Sequence, residues 1–127
     1  MLPDWLTASQ IVRVHDMLVY DTGGTLGVID MGGLEAATAR PAQFHAYGEN
    51  DPVVLSCVLA YAILKRHAFL DGNKRTAFAS LGMLLAWFGL ELDLEDDTAA
   101  NLFEGLADGS RTEDDLITAV REALISV

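Results

Sequence analysis

The chain has 127 residues, 51% of them apolar, and its 19 acidic residues outnumber 8 basic ones, for a net charge of −11. That length and apolarity support one domain, residues 1–127, with a real core, and exclude disorder. The negative charge argues against direct nucleic-acid binding and against docking on an anionic membrane.

Thr7 and Gln10 have capping-box spacing and start a first helix that runs to about Tyr20. Ile11, Val12, Val14, Leu18 and Val19 give it a roughly amphipathic pattern. Asp21 to Gly33 carries five glycines and reads as a loop or small hairpin. Leu34 to Ala39 is a short helix expected to stop before Pro41, because a residue preceding proline disfavours the helical region. Pro52 opens the next helix, and Val53 to about Arg66 is so apolar that most of its faces must be buried. A turn follows, then a second buried helix from about Asn73 to Trp87, ending near Gly89. Leu90, Leu92 and Leu94 alternate with acidic residues, which fits a short extended edge. Two further helices, about Asp97 to Ala107 and Glu113 to Ile125, complete the chain, the last capped by Thr112. The expected architecture is an all-α helical bundle of about six helices around two central apolar ones.

The single cysteine, Cys57, excludes an internal disulfide and a multi-cysteine zinc site. No basic N-terminal segment leads into an apolar one, so no secretory signal is expected and a reducing cytoplasm is the default location. The longest near-apolar run, Thr76 to Leu90, is shorter than the roughly 20 residues that span a bilayer, so no membrane partner is expected.

The chemistry gathers in His67-Ala68-Phe69-Leu70-Asp71-Gly72-Asn73-Lys74-Arg75-Thr76. Four of the eight basic residues, Lys65, Arg66, Lys74 and Arg75, lie in or beside this window. An acidic chain has little reason to collect its cations in one place unless an anion binds there. A helix starting near Asn73 presents unpaired N–H groups and the positive end of its dipole. Gly72 lets the backbone turn tightly and approach a ligand. Lys74 and Arg75 stand where the dipole disfavours cations, a placement that makes sense beside a polyphosphate. Asp71 is a hard carboxylate that suits Mg²⁺ shared with phosphate oxygens, and it serves equally well as N-cap of the helix. His67 suits general-base work, since histidine ordinarily titrates near neutral pH. Phe69 is expected to anchor the loop in the core. No Walker A sequence or serine elbow is present, Gly23 to Gly27 does not match the dinucleotide fingerprint, and His15, His45 and His67 are too dispersed for a metal cluster.

The window resembles the signature of the Fic/Doc superfamily, and within it the Doc (death-on-curing) branch. The adenylylating Fic motif reads His-Pro-Phe-x-[Asp/Glu]-Gly-Asn-Gly-Arg; here Ala68 replaces the proline and Lys74 the second glycine, and both departures are Doc-like. His15-Asp16, the glycine-rich segment to Gly33 and Leu34-Glu35-Ala36-Ala37 before Arg40-Pro41 extend the likeness over nearly the whole chain. The resemblance implies a small all-α core and a toxin of a toxin–antitoxin pair. It implies an enzyme that uses ATP and Mg²⁺ to phosphorylate a hydroxyl, expected to be a threonine, on a translation factor such as elongation factor Tu, and so inhibits translation.

Carried over, His67 takes the target's proton, Asp71 holds Mg²⁺, and Gly72, Asn73, Lys74 and Arg75 bind phosphates, with Arg75 also offsetting transition-state charge. Lys74 adds bulk and charge where a glycine backbone would cradle a phosphate, which would turn the γ-phosphate toward the nucleophile. The segment Thr22 to Gly33 is either a flap that aligns a target peptide or an ordinary loop. Thr118-x-x-x-Glu122 matches the start of the inhibitory-helix motif of Fic proteins, but Ala123 breaks it. Restraint is therefore expected from a separate antitoxin whose segment folds into a groove. Glu91 to Asp115, with ten acidic residues and one basic, either meets such a segment or is solvated surface. The rival readings are AMP transfer by the same site and a silent relative acting as a binding partner in an antitoxin or repressor complex.

Overall fold

The buried core follows directly from the two apolar helices. A computed structural model describes residues 2–126. Among these residues there are six helices, α1 (Ala8–Thr22), α2 (Met31–Ala46), α3 (Pro52–Arg66), α4 (Asn73–Trp87), α5 (Asp96–Asp108) and α6 (Glu113–Glu122). Two short strands, β1 (Leu90–Leu92) and β2 (Leu124–Ser126), complete the set. Ten of the fifteen residues of α3 are buried, because the helix is covered by α2, α4 and α6. Pro52 sits in its first turn, and the Asp51 carboxylate accepts from Val53 N–H. α4 lies against α3 and carries α1, α5 and β1 around its other sides. Leu59, Ile63, Leu81, Leu84 and Leu85 are fully buried where these layers meet; truncating any one to alanine should cost about 2–5 kcal/mol. No helix among the described residues is long and apolar enough to cross a membrane.

Two expected elements are corrected. The helix expected over Leu34–Ala39 is part of a much longer one, which begins at Met31 and continues through Pro41 to Ala46. Asp30 starts it early by accepting from Gly33 N–H at 2.8 Å. Pro41 removes a hydrogen bond to the Ala37 carbonyl, normally a cost of about 3 kcal/mol. That cost is offset by tertiary burial: Leu34, Ala37, Thr38 and Pro41 form the covered face of α2 against α3.

The last helix stops at Glu122, not Ile125. Residues 124–126 instead pair antiparallel with β1, in the register Leu90↔Ser126, Glu91↔Ile125 and Leu92↔Leu124. The alternating leucines make an edge that needs a partner, and Asp93 N–H extends the pairing by donating to the Ala123 carbonyl at 2.8 Å. The extended edge expected from residues 90–94 is thus present as β1, and the bundle carries a two-stranded ribbon.

The glycine-rich segment between α1 and α2 makes no hairpin of its own. Val28 bridges antiparallel to Phe69. Leu70 N–H donates to the Gly27 carbonyl at 3.0 Å, and Ile29 N–H to the Ala68 carbonyl at 2.7 Å. The segment is therefore laid along the turn between α3 and α4.

Candidate active site

The turn from α3 to α4 is held by main-chain geometry first. α3 ends at His67, which adopts the left-handed conformation (φ 49°, ψ 49°) and is the single non-glycine residue with positive φ among those described. A histidine there stores on the order of 1 kcal/mol of strain, and it stands exposed at the lip of the turn. Phe69 is fully buried and anchors the loop as expected. Asn73 closes the turn from the other side. Its Nδ2 donates to the Phe69 carbonyl at 2.8 Å and its Oδ1 accepts from Phe69 N–H at 3.1 Å. The Asn73 side chain is thus fully engaged with the backbone of the loop, and what it offers an anion is its own backbone N–H.

Gly72 occupies the N-cap position of α4 with φ 79°, and no side chain caps this helix. The first-turn N–H groups of Asn73, Lys74 and Arg75 therefore lack both helical and side-chain acceptors. A Cβ at Gly72 would press on His15 Nε2 and Val19 Cγ2 at 3.3 Å, and the φ of 79° there favours glycine. Asp71, which could have served as cap, does not: one carboxylate oxygen accepts from Gly72 N–H at 2.8 Å and the other from Thr25 N–H at 3.2 Å. Thr25 belongs to the glycine-rich segment, so Asp71 ties that segment to the turn. A Cβ at Gly24 would meet Asp71 Oδ2 at 2.7 Å and displace that carboxylate, and the φ of 127° there favours glycine.

His67, Leu70, Asp71, Gly72, Asn73 and Lys74 line one open depression of about 450 Å³. Arg75 does not line this depression and reaches instead toward the end of α1 and the start of the glycine-rich segment. Its Nη1 donates to Thr22 Oγ1 and to the Gly23 carbonyl at 3.1 Å, and its Nη2 lies 3.9 Å from Asp71 Oδ1. Lys74 Nζ pairs with Glu104 of α5 at 2.5 Å, and both side chains are about half exposed. Such a pair is worth about 0–1 kcal/mol and yields readily to a better anion.

The donor set fits a polyphosphate with a divalent ion. It combines open backbone donors, two cations within reach, and a half-exposed carboxylate whose oxygens each accept one N–H and keep further lone pairs. No group of three or more His, Cys, Asp or Glu residues among those described could hold a metal by itself. An ion at Asp71 would thus share its coordination with phosphate and water, the arrangement Mg²⁺ favours.

Two neighbours of the turn carry no role in the sequence reading. Glu104 is one. The other is His15 of α1, which is completely buried. Its ring stacks on Phe69 at 3.9 Å between centroids and 5° between planes, and its Nε2 donates to the Asp71 carbonyl at 2.7 Å. The spacing of Ala8, Ile11, His15 and Val19 places it on the buried stripe of α1. That periodicity is the signal that could have singled it out.

The model of the Fic/DOC family matches residues 5–85, and the chain belongs to that family. It is 39% identical over 90 residues to the "Toxin Doc" of Mycolicibacterium smegmatis, covering 67% of this chain and 68% of that protein. It is 30% identical over 105 residues to the "Protein kinase doc" of Escherichia phage P1, covering 82% of each.

Proposed function

We propose that the chain is a Doc-type toxin that transfers the γ-phosphate of Mg·ATP to a hydroxyl, expected to be a threonine, of a translation factor of the elongation factor Tu class. The observation that carries this reading is the uncapped N-terminus of α4, opening on the same depression as an exposed histidine and a carboxylate. Its relatives support the chemistry: one bears the name toxin and another the name protein kinase.

In this reading His67 accepts the proton of the attacking hydroxyl. The backbone N–H groups of Asn73, Lys74 and Arg75 and the side chain of Lys74 hold the polyphosphate. Arg75, already beside Asp71, adds positive charge near the transferring group. Asp71 holds Mg²⁺, which when bound neutralises phosphate charge. Lys74 is the reason for phosphate over AMP: its bulk and charge occupy the place of a glycine cradle. A separate antitoxin, rather than an inhibitory helix within this chain, supplies the restraint.

The test is direct. Purified protein is incubated with Mg·ATP and elongation factor Tu, or with a bacterial lysate, and modified peptides are weighed by mass spectrometry. A phosphate-sized adduct that disappears in His67→Ala is expected. An AMP-sized adduct would overturn the choice of transferred group, and no adduct dependent on His67 would favour a silent binding partner.

A further inference from the structure

The side-chain contacts that other helices make with the turn region, Glu104 with Lys74 and Thr22 with Arg75, are exposed; that of His15 is completely buried. His15 reaches it from α1, 56 positions away in sequence. The ring lies beneath the turn: flat on Phe69, bonded through Nε2 to the Asp71 carbonyl, and close enough to Gly72 to crowd a Cβ there at 3.3 Å. Nδ1 faces Asp16 Oδ1 at 3.0 Å, and Asp16 is half exposed, so the ring is oriented from its solvent side. A carbonyl only accepts, so Nε2 carries a hydrogen toward Asp71.

The consequence lies in what that carbonyl controls. The Asp71 carbonyl belongs to the peptide that leads into Gly72. Fixing it fixes the rotation of that peptide, hence the left-handed turn at Gly72 and the direction in which Asp71 presents its carboxylate. We propose that His15 is a positioning residue. It holds the Asp71 carboxylate in register for a divalent ion and the α4 N–H groups in register for phosphate. This rests on the phosphotransfer reading above and extends it to a residue that touches neither substrate nor ion. Groups of this kind behind a metal-binding side chain commonly change metal affinity or activity by about 10–100-fold.

Two substitutions separate positioning from simple packing. His15→Phe keeps a flat ring on Phe69 and removes the donor. His15→Gln removes the ring and keeps an N–H where Nε2 stood. Positioning ranks Gln above Phe; packing ranks Phe above Gln. For each folded variant, checked by circular dichroism, two quantities are measured: the Mg²⁺ concentration giving half-maximal transfer, and the Mg²⁺-dependent gain in ATP affinity by calorimetry. His15→Phe should raise the Mg²⁺ requirement roughly tenfold or more and lose most of that gain, while His15→Gln stays within about threefold of wild type. Asp16→Ala, at a half-exposed position, should shift the same requirement by a smaller factor in the same direction, and it serves if His15→Phe does not fold.

An unchanged Mg²⁺ requirement in folded His15→Phe, or a rank order with Phe above Gln, overturns the proposal. So does an unaltered Asp16→Ala if His15→Phe fails to fold. A wild type without Mg²⁺-dependent ATP binding would bring down the phosphotransfer reading and this inference with it, and is distinguished from the other failures by being visible before any substitution is made.

Discussion

Two helix N-termini in this molecule are built on opposite principles. At α6 the Thr112 hydroxyl accepts from Asp115 N–H at 3.2 Å, and the Asp115 carboxylate accepts from Thr112 N–H at 2.8 Å. Glu113, Asp114 and Asp115 fill the first turn, where the helix dipole favours negative charge. At α4 the cap is a glycine, no side chain satisfies the first-turn N–H groups, and the charged residues there, Lys74 and Arg75, are cations. α6 follows each rule for stabilising a helix start; α4 breaks each of them within the same small fold. The difference teaches that the open end of α4 is held by other means, namely Asn73 on Phe69, Asp71 on Thr25 and His15 on Asp71, and that its first-turn N–H groups are left without a side-chain cap.

The largest expected effect breaks the chemistry at α4 alone. His67→Ala should lower transfer by about 10²–10⁴-fold, the usual contribution of a general base, with its helical circular-dichroism signal intact. An equal loss in a residue of the α6 start would blur the contrast.

Next comes an attempt to make α4 resemble α6. Gly72→Ser supplies a capping hydroxyl, yet it should destabilise by about 1–3 kcal/mol in denaturant titration. Residue 72 has φ 79°, and a Cβ there would press on His15 and Val19 at 3.3 Å. A stabilised Gly72→Ser protein would show that the open end is an accident of sequence.

The reverse change at α6 should be smaller and silent in function. Thr112→Ala should cost about 1 kcal/mol, or roughly 3–6 °C in melting temperature for a chain of this size, with transfer unchanged.

The smallest effect is a pH signature confined to the α6 region. Glu113 is pushed up from its ordinary pKa by burial, against the opposing Arg40, and its Oε2 is buried without a hydrogen-bond partner. Its folded-state pKa lies above the unfolded one, so its ionised form opposes folding, and the penalty disappears as pH falls below the ordinary carboxylate range. Glu113→Gln should therefore raise the melting temperature slightly at neutral pH, within about 0.5 kcal/mol, and lose that advantage in acid. Asp51 runs the other way. Burial raises it, but hydrogen bonds from Arg121 at 2.7 Å and from Val53 N–H hold it below its ordinary value overall. Its stabilisation is present at neutral pH and is lost as pH falls through its depressed pKa.

The two ends also differ in how far the sequence revealed them. Thr112 with three acids behind it announces a capped helix, and α3 and α4 announce themselves by apolar content. Local signals failed where distant partners decide. Pro41 reads as a helix stop because nothing in its neighbours shows that the face it lies on is buried on α3. Leu124 and Ile125 read as helix because their partners, Leu92 and Glu91, lie more than thirty residues earlier. At the site, the glycine, the cations and the carboxylate were legible as types in a window. Their division of labour was not: Asn73 spends its side chain on Phe69, Arg75 turns toward Thr22 and Gly23, and Lys74 pairs with Glu104. His15 stands on the buried stripe of α1, but the sequence reading gave it no role, because the turn it touches lies 56 residues away.

The most direct measurement is a titration of the ¹⁵N-labelled protein with Mg·ATP, followed through its backbone amide resonances. The amides of Asn73, Lys74 and Arg75 should move and saturate together, in proportion to occupancy, while those of Glu113, Asp114 and Asp115 stay in place. Amides at α4 that remain still under Mg·ATP concentrations supporting transfer would contradict the assignment of this helix end as the phosphate site.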